Sequence, residues 1–273
     1  MRLAAGQVAV VTGGASGIGF ALASRFAALG MRVVIGDLEQ PAAELDATFV
    51  RMDVSKPADY ERLVEAAGVP DVLCLNAGVA NKPDTIWARS LADWEWLFGA
   101  NFWGVLHGIR AFVPAMTARG GEGHIVVTAS LAGLITMPYN ADYQASKYAA
   151  ISMAESLVLE LEGAKSKLKV SALCPAFVRT RLFESDRNRV DAHAVRPEFE
   201  KTFEAYRKLC AETGMAPEAL AEHVMRAIED ERFYVLTHPE GTPFIEERMR
   251  HLLEGKNPRL HSGDTLDLLS DRD

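Results

Sequence analysis

The chain has 273 residues, 49% of them hydrophobic, with a formal net charge of −8 and a pI near 5.5. That length closes one large α/β core without a second domain, and the acidic balance argues against nucleic acid or an anionic membrane as partner, since both select a basic face. Three cysteines without Cys-x-x-Cys spacing, seven His without His-Glu-x-x-His spacing, and no run near the roughly 18 apolar residues of a membrane span argue against a disulfide scaffold, a metal site and an integral membrane protein.

In chain order, short β-branched runs alternate with longer helical patterns. Residues 7–12 read as a strand that runs straight into a Gly-rich turn, leaving no room for a cleavable leader, so a cytoplasmic protein is expected. A helix over 19–29 follows, then strands at 32–37 and 49–53, a short helix at 57–67, and a strand at 72–76. Next come a helix over 91–118, a strand at 124–129, a helix over 143–162, a strand at 169–174, a helix over 217–231 and a last strand at 233–237. This alternation predicts a single-domain, Rossmann-type α/β fold: a doubly wound, seven-stranded parallel sheet with helices on both faces and ligands at the carboxyl ends of its strands. The domain is expected to span 1–255, with a variable, substrate-covering segment over 180–216 and a polar tail or subunit contact over 256–273. Cys74 and Cys174 lie inside apolar runs and read as buried free thiols.

The turn Thr12-Gly13-Gly14-Ala15-Ser16-Gly17-Ile18-Gly19 lies between a predicted strand and a predicted helix. It can bring backbone amides to a pyrophosphate at the helix N-terminus, although Gly-rich turns also join strands to helices without any ligand. Asp37, eighteen residues beyond Gly19 at the end of the next strand, can accept from both ribose hydroxyls and would repel a 2′-phosphate. Ser16 and Leu38, two positions for an offsetting cation, are neutral, so NAD is expected over NADP. Asp53, beside Val54, can reach an adenine edge; both aspartates can equally serve as turn or cap residues.

Tyr143 and Lys147, four residues apart, share one face of a helix. An ammonium beside a phenol stabilises its phenolate, which suits proton exchange with an alcohol; a surface Tyr stacked along a Lys stem is the structural alternative.

Taken together, these residues resemble the short-chain dehydrogenase/reductase family from about residue 8 to 180. The resemblance rests on Thr12-Gly-x-x-x-Gly-x-Gly, the Asn76-Ala77-Gly78 turn, Asn101, Ser130 thirteen residues before Tyr143, Lys147, and Pro175 followed by Val178 and Thr180. It implies that Asn101, Ser130, Tyr143 and Lys147 form the catalytic set. Tyr143 is then the acid/base and Ser130 the partner of the reacting oxygen. Lys147 holds the nicotinamide ribose and lowers the Tyr143 pKa, and Asn101 orders a water relay. It also implies that Asn76, Ala77 and Gly78 pass under the adenosine ribose, that Ile18, Pro175, Val178 and Thr180 contact the pyrophosphate and nicotinamide side, and that the protein is a dimer or tetramer. Leu75 and Ala176 depart from the family's usual Asn and Gly.

Ser130, Met137, Tyr139 and Phe177 are the candidate pocket walls. Phe199, Phe203, Tyr206 and Cys210 recur at helical spacing, which fits docking of a helix or an apolar pocket. Arg179, Arg181, Arg187, Arg189 and Arg196 are either solvated or a site for a carboxylate. The ending Phe233-Tyr-Val-Leu-Thr-His-Pro-Glu240 is similar to that of family members that oxidise bulky aryl or terpenoid secondary alcohols. The expected activity is therefore NAD-dependent hydride transfer between such an alcohol, or its ketone, and nicotinamide. The alternatives are a catalytically idle dinucleotide sensor and an epimerase or dehydratase that retains NAD.

Overall fold

In the computed structural model, residues 1–189 and 194–258 are described. Seven strands form one sheet: β1 (Val8–Thr12), β2 (Arg32–Asp37), β3 (Thr48–Arg51), β4 (Val72–Leu75), β5 (Gly123–Thr128), β6 (Leu168–Cys174) and β7 (Tyr234–Leu236). Their order is β3-β2-β1-β4-β5-β6-β7 and every neighbouring pair is parallel. The expected doubly wound fold is thus present, and the order reverses between β1 and β4, where a crevice opens at the strand ends.

Helices α1 (Gly17–Ala28), α2 (Asp59–Ala67), α3 (Leu91–Phe98), α4 (Gly104–Arg119), α5 (Ala141–Gly163), α6 (Glu200–Thr213), α7 (Pro217–Glu229) and α8 (Thr242–Leu253) complete the described chain. The period-2 alternation of strand side chains sorts them into two cores. Val10, Val34, Leu73, Ile125 and Val127 face α2, α4 and α5, where Leu63, Phe112 and Ile151 meet them. Val11, Ile35, Cys74, Val126 and Leu173 face α1 and α7, against Leu22, Phe26, Val224 and Ile228. Both faces being covered explains why the strands read as near-continuous apolar runs.

Three boundaries differ from the sequence reading in ways that bear on the site. The helix expected over 91–118 is interrupted by a π turn at Gly99–Trp103, and α5 starts at Ala141, a residue pair ahead of Tyr143. Asp53 and Asn76 lie just beyond their strands. Helix α8 has no counterpart among the predicted elements, and none of its residues is buried. The tail expected over 256–273 lies outside the described residues except for 256–258, as do 190–193 of the variable segment. Among the described residues no helix is long and apolar enough to cross a membrane, and no cluster of His, Cys, Asp or Glu could hold a metal. All three cysteines are buried and free, and burial raises each thiol's pKa.

One buried group makes the fold sensitive to acid. The hydroxyl of Ser171 donates to the carbonyl of Arg232 (2.6 Å), so its oxygen accepts from His124 Nε2–H (2.8 Å), while His124 Nδ1 is buried without a partner. Protonating Nδ1 would create a buried, unsatisfied cation, and burial accordingly lowers the His124 pKa from 6.5 to about 4. The unfolded chain binds this proton first, so His124 leaves stability intact above pH 6.5 and costs stability as pH falls towards 4, by at most about 3 kcal/mol. Urea unfolding at pH 7.5 and 5.0 is expected to show this loss in the wild type. It should be smaller in His124→Gln, which keeps a donor for Ser171 and cannot ionise.

Candidate active site

The dinucleotide groove is built where β1 stops. Gly13 has φ of +65°, and a Cβ there would lie 2.8 Å from the Ala77 Cα; a Cβ on Gly19 would lie 2.0 Å from the Gly13 carbonyl oxygen. Only glycine permits this approach of three backbone segments. Ser16 caps α1 in an extended conformation without a side-chain bond to the helix, leaving the first-turn amides facing the groove. The carboxylate of Asp37 accepts from the amides of Ala15 (2.9 Å) and Glu39 (3.3 Å). Its burial raises its pKa, and these amides act against that shift. It therefore both orders the turn and faces the groove.

Gly13, Ser16, Gly17, Ile18, Asp37, Leu38, Asp53, Val54, Asn76, Ala77, Gly78, Pro175, Val178 and Thr180 all line this groove, as do Ser130, Tyr143 and Lys147. Gly19 is buried behind it and acts by letting the turn close. Asp53 forms a local turn, its Oδ1 accepting from the Ser55 amide (3.0 Å) and hydroxyl (2.7 Å); it borders the groove but does not cap α2, whose N-cap is Ala58. Asn76 donates to the carbonyls of Thr12 (3.2 Å) and Gly13 (3.3 Å) and accepts from Thr128 Oγ1 (3.1 Å). The ends of β1, β4 and β5 thus stay tied together although Leu75, turned into the core, stands where an Asn is usual. These residues fit a dinucleotide: an open backbone turn, a helix N-terminus for the pyrophosphate and a carboxylate at the ribose end.

At the other end, the π turn buries Asn101 completely and points it at the 76–79 loop. Its Oδ1 accepts from the Val79 amide (2.8 Å); its Nδ2 donates to the Val79 carbonyl and to Ser146 Oγ (3.0 Å each). Lys147 Nζ donates to the Thr128 carbonyl (3.0 Å) and lies 5.6 Å from the centroid of the Tyr143 ring. A Cβ on Gly78 would come within 3.2 Å of Asn101 Oδ1 and 3.3 Å of Lys147 Nζ, so the two polar groups converge on that glycine. Ser130 Oγ donates to the Pro175 carbonyl (3.3 Å) and accepts from the Ala132 amide (3.1 Å).

The electrostatics correct one expectation. Lys147 was predicted to lower the Tyr143 pKa, yet burial dominates and pushes Tyr143 up to about 12, with the Ser130 hydroxyl acting the other way. Burial also pushes Lys147 down to about 8. Burial thus favours the neutral form of both groups.

A second, apolar pocket opens on the far side of Tyr143 and includes Ser130, Met137, Tyr139 and Phe177, as expected. Tyr139 adopts a positive φ of 66° and packs against Phe199 at 4.8 Å. Leu182, Phe183, Tyr206, Cys210 and Phe244 also line it. Helical spacing marked Tyr206 and Cys210; Phe183, in a 3-10 turn, and Phe244, on the exposed α8, carried no signal. Phe199 and Phe203 are buried, and Phe203 docks edge-on against Phe183. Among the described residues no charged side chain lines this pocket. The five arginines named above, Arg179 and four of the variable segment, all have partners. Arg179 binds the Gly214 carbonyl, Arg181 pairs with Glu39 and Glu184, Arg187 with Glu39, Arg189 with Asp93, and Arg196 with Asp84 and Glu198.

Comparison with known proteins agrees with this geometry. The profile of the short chain dehydrogenase family matches residues 7–191. A CLA biosynthesis dehydrogenase/reductase of Lactiplantibacillus plantarum is 31% identical over 94% of this chain and 97% of its own. A 1-deoxy-11-beta-hydroxypentalenate dehydrogenase of Streptomyces avermitilis is 33% identical over 92% of this chain and 93% of its own. A solved short chain dehydrogenase/reductase from Burkholderia phymatum, in complex with NAD, superposes with a TM-score of 0.88 at 34% identity, covering 96% of this chain and all of that one.

Proposed function

Since this chain belongs to the short-chain dehydrogenase family, we propose that it is an NAD-dependent oxidoreductase acting on an uncharged, bulky, apolar secondary alcohol or the corresponding ketone. The observation that carries this reading is that Ser130 and Tyr143 belong to the walls of both the dinucleotide groove and the apolar pocket. A carbinol carbon in the pocket therefore faces the groove across these two hydroxyls. When bound, nicotinamide supplies the hydride acceptor. Tyr143, as its phenolate, takes the hydroxyl proton, Ser130 holds the reacting oxygen, and Lys147, 5.6 Å from the Tyr143 ring centroid, stabilises that phenolate. Ketone reduction uses the same groups in the opposite sense.

The neutral lining of the pocket among the described residues supports the substrate class, because a buried carboxylate would find no cation among them. The name of the Streptomyces relative specifies a bulky hydroxylated substrate that is also a carboxylate, so the relative supports the alcohol, and the neutral charge rests on the pocket lining alone. The test is to incubate the protein with NAD or NADP and paired panels of neutral and carboxylate-bearing aryl, alicyclic and aliphatic secondary alcohols, following reduced-nicotinamide absorbance. We expect turnover with NAD on neutral bulky alcohols and at least about 10-fold lower kcat/KM on their carboxylated analogues. Preferential turnover of the acids would refute the substrate class, and no turnover despite NAD binding would refute the activity.

A further inference from the structure

The sequence ending at 233–240 finds its use in the turn that separates the two pockets. Strand β7 pairs with β6 in a register that sets Leu236 opposite Cys174, and continuing it by two residues brings His238 alongside Ala176. The prolines at 175 and 239 stop the ladder there, and the imidazole replaces it. The Ala176 amide donates to His238 Nδ1 (3.1 Å), and Nε2 lies 3.0 Å from the Phe177 carbonyl. Because Nδ1 receives an N–H, it carries no proton, so Nε2 bears the hydrogen and donates to Phe177. The Thr237 hydroxyl, 2.8 Å from Nδ1, is a second donor to the same nitrogen. Burial lowers the proton affinity of the ring, in keeping with this neutral tautomer.

The clamped residues face both pockets. Pro175, Ala176 and Val178 line the dinucleotide groove; Ala176, Phe177 and Val178 line the apolar pocket. The Pro175 carbonyl accepts from Ser130 Oγ (3.3 Å) and from the Leu131 amide (2.8 Å). Ala176 adopts no positive φ, so the Cβ found where the family usually has Gly is tolerated without strain. We propose that His238 is a positioning residue: its imidazole grips consecutive backbone groups of the 176–177 turn and so fixes the wall on which cofactor and substrate meet. The reaction it serves is the one proposed above.

The test compares His238→Ala with His238→Asn, whose amide oxygen can take the place of Nδ1 as acceptor for the Ala176 amide. Two readouts are taken: amide hydrogen exchange of peptides covering 175–178, which needs no substrate, and kcat and KM for NAD and a neutral alcohol. In His238→Ala, exchange should accelerate about 10-fold or more and kcat/KM should fall about 10- to 100-fold, with kcat reduced as well as KM raised. His238→Asn should recover most of both. Unchanged exchange in His238→Ala overturns the clamp. Accelerated exchange with unaltered kcat and KM, or a lowered Tm as the only effect, reduces His238 to a structural residue and overturns its role in positioning. Wild-type protein that turns over no alcohol refutes the activity and leaves the clamp to be judged on exchange alone.

Discussion

Replacing Tyr143 by Phe is expected to lower kcat about 1,000-fold or more while NAD affinity stays within a few-fold of wild type. The substitution removes a single oxygen. The ring that packs with Leu97 and Ala132 is retained, and Lys147 keeps its bond to the Thr128 carbonyl, which does not involve the phenol. The Gly-rich turn and Asp37, the groove residues proposed to hold the cofactor, are untouched. What is lost is the only phenolic hydroxyl among the described residues shared by the two pockets, where Ser130 and Thr180 carry the other side-chain hydroxyls. Serine lacks the acidity to replace it, so proton transfer to or from the substrate oxygen loses its partner. Calorimetric NAD binding measured beside reduced-nicotinamide absorbance separates the two effects. Turnover at the wild-type rate would rule out Tyr143 as the acid/base, and loss of NAD binding would place the defect in the groove instead.

The parts of this site that were legible in the sequence are those that a backbone or a short helical spacing dictates. A glycine with φ of +65° and another whose Cβ would strike a carbonyl oxygen have no substitute, so the turn announces itself. Asp37 closes a strand of uninterrupted apolar residues, and Tyr143 and Lys147 share a helix face, so both were visible as local patterns. The apolar pocket is different, because it is assembled from four separate stretches of chain. Phe183 lies in a 3-10 turn, Phe177 in a loop, Tyr206 on α6 and Phe244 on α8, and only the folded chain brings their rings together. The π turn that carries Asn101 was equally hidden, since one extra backbone residue per turn leaves no mark on an aromatic-rich helical stretch. The sign of the Tyr143 shift depended on burial, a tertiary property that the spacing to Lys147 could not supply.

Replacing Asp37 by Ala is expected to reverse the cofactor preference. The carboxylate sits at the ribose end of the groove and orders the turn through the Ala15 amide, and each of its oxygens can accept a further hydrogen bond. Two charge-assisted bonds to ribose hydroxyls stabilise bound NAD by roughly 3 to 6 kcal/mol together, so their removal should raise the KM for NAD about 100-fold or more. The same carboxylate would lie against the 2′-phosphate of NADP. Removing it relieves like-charge repulsion and leaves Arg181 and Arg187, which pair with Glu39 on the groove's rim at 3.9 and 3.8 Å, as the nearest cations to that phosphate. The ratio of kcat/KM for NAD over NADP should therefore fall by about three orders of magnitude across the two effects. Asp37→Asn distinguishes charge from turn geometry, because its amide oxygen still accepts from the Ala15 amide. It should move the ratio in the same direction by a smaller factor, with NAD affinity falling about 10-fold. A variant pair in which Ala loses both cofactors equally and Asn loses neither would assign Asp37 to the turn alone and leave the choice of NAD to other residues of the groove.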